Sequence, residues 1–299
     1  MSIENKGIHL DYLLKVKEGR IAQGLGIGCS LDNYLRFKPK QLTIILGHDN
    51  VGKTYFTTWY FLNLALQHNL KWCIWSGENS SGQIIRDMIQ ILSGKHFKHL
   101  LISEIHRYSS IIDSHFDFID NSNTYKPKDL LAIFEQSDCN SALIDPFTGL
   151  DREISYESNY KFLNECRHFC NRTGKSIYIN THPVTGSGRV GNIYQQGHMW
   201  AGHLKAPLKD DIEGGKAYLN RCDDMIVVHR LTKHDTMRYY TLVTIEKVKD
   251  VETGGRNTLL DEPILFDFNR GLGFINDGID TLKKVRERIN KTNEIWDNQ

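Results

Sequence analysis

Residues 47–54 read Gly-His-Asp-Asn-Val-Gly-Lys-Thr, a complete G-x-x-x-x-G-K-[ST] segment. The five residues before it, Leu42-Thr43-Ile44-Ile45-Leu46, are apolar and β-branched and predict a buried strand. Thr54 to Gln67 is rich in aromatic and aliphatic residues and predicts a helix. A loop from a strand into a helix N-terminus aims unpaired backbone N–H groups at one point, and the helix dipole favours negative charge there. Gly47 and Gly52 permit close backbone approach, Lys53 can reach β- and γ-phosphates, and Thr54 can ligate Mg2+. The expected nucleotide-binding surface is the whole turn (Gly47, His48, Asp49, Asn50, Val51, Gly52, Lys53, Thr54) with Tyr55 after it. ATP and Mg2+ are the implied cofactors.

Further strands are expected at 72–75, 115–119, 142–144, 176–180, 225–229 and 238–247, and helices at 82–92, 126–137 and 159–173. Pro127 suits a first helical turn. Strands alternating with helices imply an α/β fold whose mostly parallel sheet is covered by helices on both faces. Ligands in such sheets sit at the carboxyl ends of the strands. Residues 263–268 and 273–275, joined by Asn269-Arg270-Gly271-Leu272, predict a C-terminal β-hairpin. A short helix over 8–18 precedes a glycine-containing linker, Gly24 to Gly28, and a helical turn at Ser30 to Leu35. Residues 184–216 are glycine-rich and polar, and an irregular stretch of that length is uncommon unless it is functional. The expected organisation is a linker helix for subunit docking (1–23), a core (24–278) and a charged helical tail (279–299).

Composition restricts the partners. The 299 residues are 40% hydrophobic and 24% charged, with a net charge of +1, so any nucleic-acid contact must come from a local patch. No apolar run is long enough to span a membrane, and the first residues lack the apolar core of a signal peptide. Six cysteines, at 29, 73, 139, 166, 170 and 222, include no C-x-x-C and fit a reduced cytoplasmic protein. Cys166 and Cys170 share a helix face that His168 does not, which favours a buried apolar pair over a metal site.

Four further segments carry chemistry. Leu143-Ile144-Asp145 ends a buried strand in a carboxylate that can hold Mg2+ opposite the phosphate loop. Trp75-Ser76-Gly77-Glu78 places Glu78 where a base or water-positioning group is needed. Ile179-Asn180-Thr181-His182 brings a histidine to the same crevice, able to hydrogen-bond a γ-phosphate. Lys247 and Lys249 share one face of a strand end and can neutralise phosphate charge, in cis or on a neighbouring subunit. The ordinary alternatives are a solvated glutamate, a loop histidine and lysines that protect an edge strand.

In this order the segments resemble the RecA-like P-loop ATPase domain of DnaB-type hexameric replicative helicases, in the style of the phage primase–helicase and Twinkle branch. The resemblance covers roughly residues 24–276. It implies catalytic roles for Lys53, Glu78 and His182, Mg2+ ligation by Thr54 and Asp145, and a base sandwiched by Arg230 and Phe268. Gly214-Gly215-Lys216-Ala217 is similar to the family's glycine-containing DNA loop, so Arg189, Lys205, Lys209, Gly214, Gly215 and Lys216 become the expected DNA contacts. Lys247-Val248-Lys249 resembles the K-x-R segment that acts on a neighbour's nucleotide, with lysine where the family has arginine. Arg256 or Arg238 could substitute for the missing planar fork. The implied function is ATP-dependent unwinding by a homo-oligomeric ring, a hexamer, on single-stranded DNA. A separate primase or loader is an expected partner, and a viral origin would put the work in a bacterial host cytoplasm. A filament-forming recombinase-like ATPase and an ATP-switched structural ring are the rival readings.

Overall fold

The computed structural model describes residues 6–153, 155–184, 192–259 and 261–296. β1 (Leu42–Leu46) leads through the phosphate loop into α2 (Lys53–His68), after an N-terminal α1 (Lys6–Lys17). Then come β2 (Trp72–Ser76), α3 (Ser81–Ser93), α4 (Ile102–Asp113), β3 (Phe116–Phe118), α5 (Pro127–Gln136), β4 (Ser141–Asp145), α6 (Tyr156–Thr173) and β5 (Ser176–Thr181). The chain ends with α7 (Ala217–Arg221), β6 (Asp224–His229), β7 (Tyr240–Val248), β8 (Ile264–Phe268), β9 (Phe274–Ile275) and α8 (Lys283–Trp296).

Among the described residues, nine strands form one sheet in the order β3-β2-β4-β5-β1-β6-β7-β8-β9. The first six in that order pair in parallel, and β7, β8 and β9 add antiparallel strands. The expected hairpin is present, with Asp267 opposite Ile275 and Phe268 opposite Phe274. All five residues of β1 are buried, because both faces of the sheet are covered. Ile45 belongs to the core cluster formed with Phe56, Trp59 and Tyr60 of α2 and with residues of α3, α4 and the start of α8. Leu42, Ile44 and Leu46 point the other way, onto Phe162, Cys166 and Phe169 of α6 and onto α5 and α7.

Two helices were not expected. α4 fills a stretch in which the sequence suggests no element, and it buries Tyr108 and Ile112 but leaves Ile102 exposed. α7 is a five-residue helix, too short for its periodicity to register. The charged C-terminal segment packs on the core, with Leu282 and Val285 buried in the main cluster and Arg286 donating to Ile91 O at 3.0 Å. Pro127 does take the first helical position of α5. Cys166 and Cys170 are fully buried while His168 is exposed, as expected of an apolar pair. No described helix is long and apolar enough to cross a membrane.

Candidate nucleotide site at the carboxyl edge of the sheet

Strand register brings the motifs together. Leu46 lies opposite both Thr181 and Val227, and Ser76 lies opposite Asp145, so β1, β2, β4, β5 and β6 end along one edge. A cleft of about 470 Å3 opens there, lined by Lys53, Thr54, Glu78, Asp145 and His182 among others. Its size is in the range of small-ligand sites. The loop depends on its glycines. A Cβ on Gly47 would collide with the Val228 carbonyl, and Gly52, the residue before α2, has φ of 87°.

Asp145 is the most constrained group in the cleft. It is 2% exposed, accepts from Thr54 Oγ1 at 2.7 Å through Oδ2 and from Asn180 Nδ2 at 2.7 Å through Oδ1. Burial pushes its carboxyl above the usual range, against the pull of Asn180, Thr54 and Lys53. A buried carboxylate beside a threonine hydroxyl is a hard-oxygen donor pair that suits Mg2+. The loop N–H groups and Lys53 suit phosphate oxygens.

Lys53 Nζ donates to Gly47 O at 2.8 Å and His48 O at 2.9 Å and lies 3.1 Å from His182 Nδ1. Burial lowers its ammonium to about 8, with Asp145, Asp49 and Glu78 pulling the other way. His182 Nδ1 is also 2.6 Å from Asp49 Oδ1, and its Nε2 is 3.9 Å from Glu78 Oε1. Glu78 itself is exposed on a braced turn. Asn121 Nδ2 donates to Ser76 O at 2.9 Å and Asn79 O at 3.1 Å, and Ser80 with Gln83 forms the capping box of α3. Asn180 and Asn121 are absent from the sequence-derived site. Asn180 has a legible signal, a polar side chain at a buried strand position, but Asn121 has none.

The other expected residues fall in three places. Arg230 and Phe268 reach the same edge as the cleft, beside Tyr55, whose ring meets Phe268 at 5.4 Å. Here the Arg230 guanidinium stacks directly on Phe268 at 4.8 Å, which leaves no layer between them for a base. Lys247 and Lys249 lie at the opposite edge, because antiparallel β7 ends beside Asp224, the first residue of β6. Lys247 Nζ donates to Leu219 O at 2.6 Å and Cys222 O at 2.7 Å, and Lys249 pairs with Asp223 at 3.2 Å. Arg256 lies on that side as well, stacked on Tyr34, whereas Arg238 is exposed at the start of β7.

Of the expected DNA contacts, Lys209 and Lys216 are exposed and Lys205 is half-buried. Gly214 packs tightly against Asn159, and the Gly215 N–H is used by Ile212 O at 3.0 Å, so that donor serves the loop's own turn. Arg189 lies outside the described residues.

No protein-family model matches the sequence, and no curated protein matches it. Solved structures do. One, described as an ATPase domain, aligns with a TM-score of 0.72 at 12% identity, over 92% of this chain and 99% of that one. A DnaB-like replicative helicase, described with its interactions with primase, aligns with a TM-score of 0.69 at 12% identity, over 92% of this chain and 67% of that one. The chain has the fold of a DnaB-type RecA-like ATPase domain. The expected α/β fold class stands, including its terminal hairpin.

Proposed function

We propose that the chain is an ATP-hydrolysing motor that assembles as a ring on single-stranded DNA and unwinds duplex during replication. The observation that carries this reading is the convergence of Lys53, Thr54, Asp145, Glu78 and His182 on one cleft at the carboxyl edge of the sheet. Lys53 and the loop N–H groups hold phosphate, and Thr54 and Asp145 hold the metal ion. Mg2+ there would draw charge from the phosphate oxygens. Glu78 positions the attacking water and accepts its proton. His182, within reach of Lys53 and Glu78, is placed to register the γ-phosphate.

The link to DNA runs through the backbone of the same histidine. Glu213 N donates to His182 O at 2.9 Å, and Val184 N donates to Asp211 O at 2.7 Å. The segment bearing Lys205, Lys209 and Lys216 is thus tied to the cleft. Phosphate contacts of this kind supply affinity without reading sequence. Lys247 and Lys249, at the far edge, can reach a nucleotide only on another copy of the chain, and this supports a homo-oligomer.

The test is ATP hydrolysis with and without single-stranded DNA, for the native chain and for Glu78→Gln. DNA-stimulated hydrolysis that disappears in the variant supports the motor. Hydrolysis indifferent to DNA overturns it and favours an ATP-switched ring, a reading that the Lys249–Asp223 pairing in place of an arginine also fits.

A further inference from the structure

His48 is the second residue of the phosphate loop, and it faces away from the phosphate side. Its ring meets His229, the last residue of β6, edge to face at 5.9 Å. His229 is 1% exposed, and its Nε2 donates to Leu204 O at 2.9 Å. The carbonyl of Lys205, the next residue along, faces His48 and partly offsets the effect of its burial. Each ring keeps one buried nitrogen without a partner, Nε2 of His48 and Nδ1 of His229. Burial pushes His229 down to about 4 and lowers His48 too, so both rings are neutral near pH 7 and each has a single proton to give.

Those carbonyls belong to a compact excursion. Ile193 bridges Leu204, Lys205 N donates to Asn192 O at 2.7 Å, and Tyr194 N donates to His203 O at 2.9 Å. Tyr194 stacks on His198 at 4.2 Å, and Trp200 is buried against Tyr194. Residues 192–205 are therefore braced to move as a unit, with Lys205 at their end. On the other side, Gly47 is pressed against the carbonyl of Val228, the residue before His229. A shift of the phosphate loop reaches Leu204 and Lys205 by two short routes, through the contact of the His48 ring with His229 and through the end of β6.

We propose that His48 and His229 form a latch that makes the position of the 192–205 excursion, and with it Lys205, depend on occupancy of the phosphate loop. The DNA-facing part of this inference rests on the motor reading above. Neither histidine is needed to hold phosphate for the latch to work. They are positioning residues, and the coupling they carry must be reciprocal between the two ligands.

Amide hydrogen exchange over 192–208 tests the latch in the full chain, with and without Mg2+ and a non-hydrolysable ATP analogue, and equilibrium dialysis checks that the analogue binds. The analogue is expected to change exchange in this segment in the native chain, to leave it unchanged in His229→Ala, and to change it again in His229→Gln, whose amide can donate to Leu204 O. In parallel, the affinity for oligo-dT should shift by roughly fivefold or more on analogue binding in the native chain, within the usual range of coupling between sites. It should shift less than about twofold in His229→Ala. Native-like exchange changes in His229→Ala, or none in the native chain with analogue bound, overturn the latch. Exchange changes with no oligo-dT affinity uphold the latch and overturn the motor reading.

Discussion

Burial holds the Lys53 ammonium at about 8, so its charge is at stake just above neutral pH. Free Lys53 loses its proton as pH rises through that value, and a neutral amine has no charge with which to offset that of the phosphate. Nucleotide affinity should therefore be level below pH 8 and then fall by up to about tenfold per pH unit, as expected for one required proton. A fluorescent-nucleotide titration from pH 7 to 9.5 checks this, and Lys53→Arg should bind without the slope. Glu78 makes a different kind of contribution. Glu78→Gln should lower kcat by about 10²–10⁴-fold, the usual worth of a positioned base, and leave the nucleotide Kd within about threefold. Both side chains were legible from their motifs. Asn180, which orients Asp145, was in view in its strand but gained a role only when β4 and β5 were placed side by side.

At the scale of elements, Lys247 and Lys249 separate. The spacing puts both on one face of a strand end, but the fold gives them different partners. Lys247 is half-buried and caps the carbonyl end of α7, and Lys249 is exposed. Lys247→Met leaves two carbonyls short of a donor and should cost about 1–3 kcal/mol in urea unfolding, the cost of an unpaired buried polar group. Lys249→Met removes an exposed lysine from buried Asp223, which keeps Arg167 and the Leu42 N–H, and should change stability by less than about 1 kcal/mol. If Lys249 serves a neighbour's nucleotide, the same variant should lower hydrolysis in the assembled protein, and added native subunits should restore it. This division of labour was invisible in sequence because α7 is too short to show a period. The strands were read closely because β-branched runs flanked by polar turns identify them locally.

At the scale of the molecule, α1 stands out. Leu10, Tyr12, Leu13 and Leu14 are all exposed on it, and Leu10 and Leu13 are each 60% exposed. So many apolar side chains in water on one helix mark a contact surface, and under the proposed ring a neighbouring subunit would cover them. Leu10→Ser with Leu13→Ser should leave the melting temperature within a few degrees, because exposed positions contribute little to folding. The same pair should shift the assembly towards monomer in sedimentation velocity, and unchanged assembly would show that α1 is not the contact.

The order of motifs along the chain was sufficient for the fold class and for the glycine turn between β1 and α2, because strand, turn and helix each show as a local pattern of side chains. A strand, a glycine turn and a helix make a phosphate site with local geometry alone. The sheet order decided the rest. It set Asp145, Glu78 and His182 around one cleft, put Lys249 on the far edge, closed Arg230 onto Phe268, and brought His48 and His229 to neighbouring carbonyls of a distant loop. These are contacts between residues far apart in the chain. Strand register and packing specify them, and no local pattern of side chains encodes register across a nine-stranded sheet.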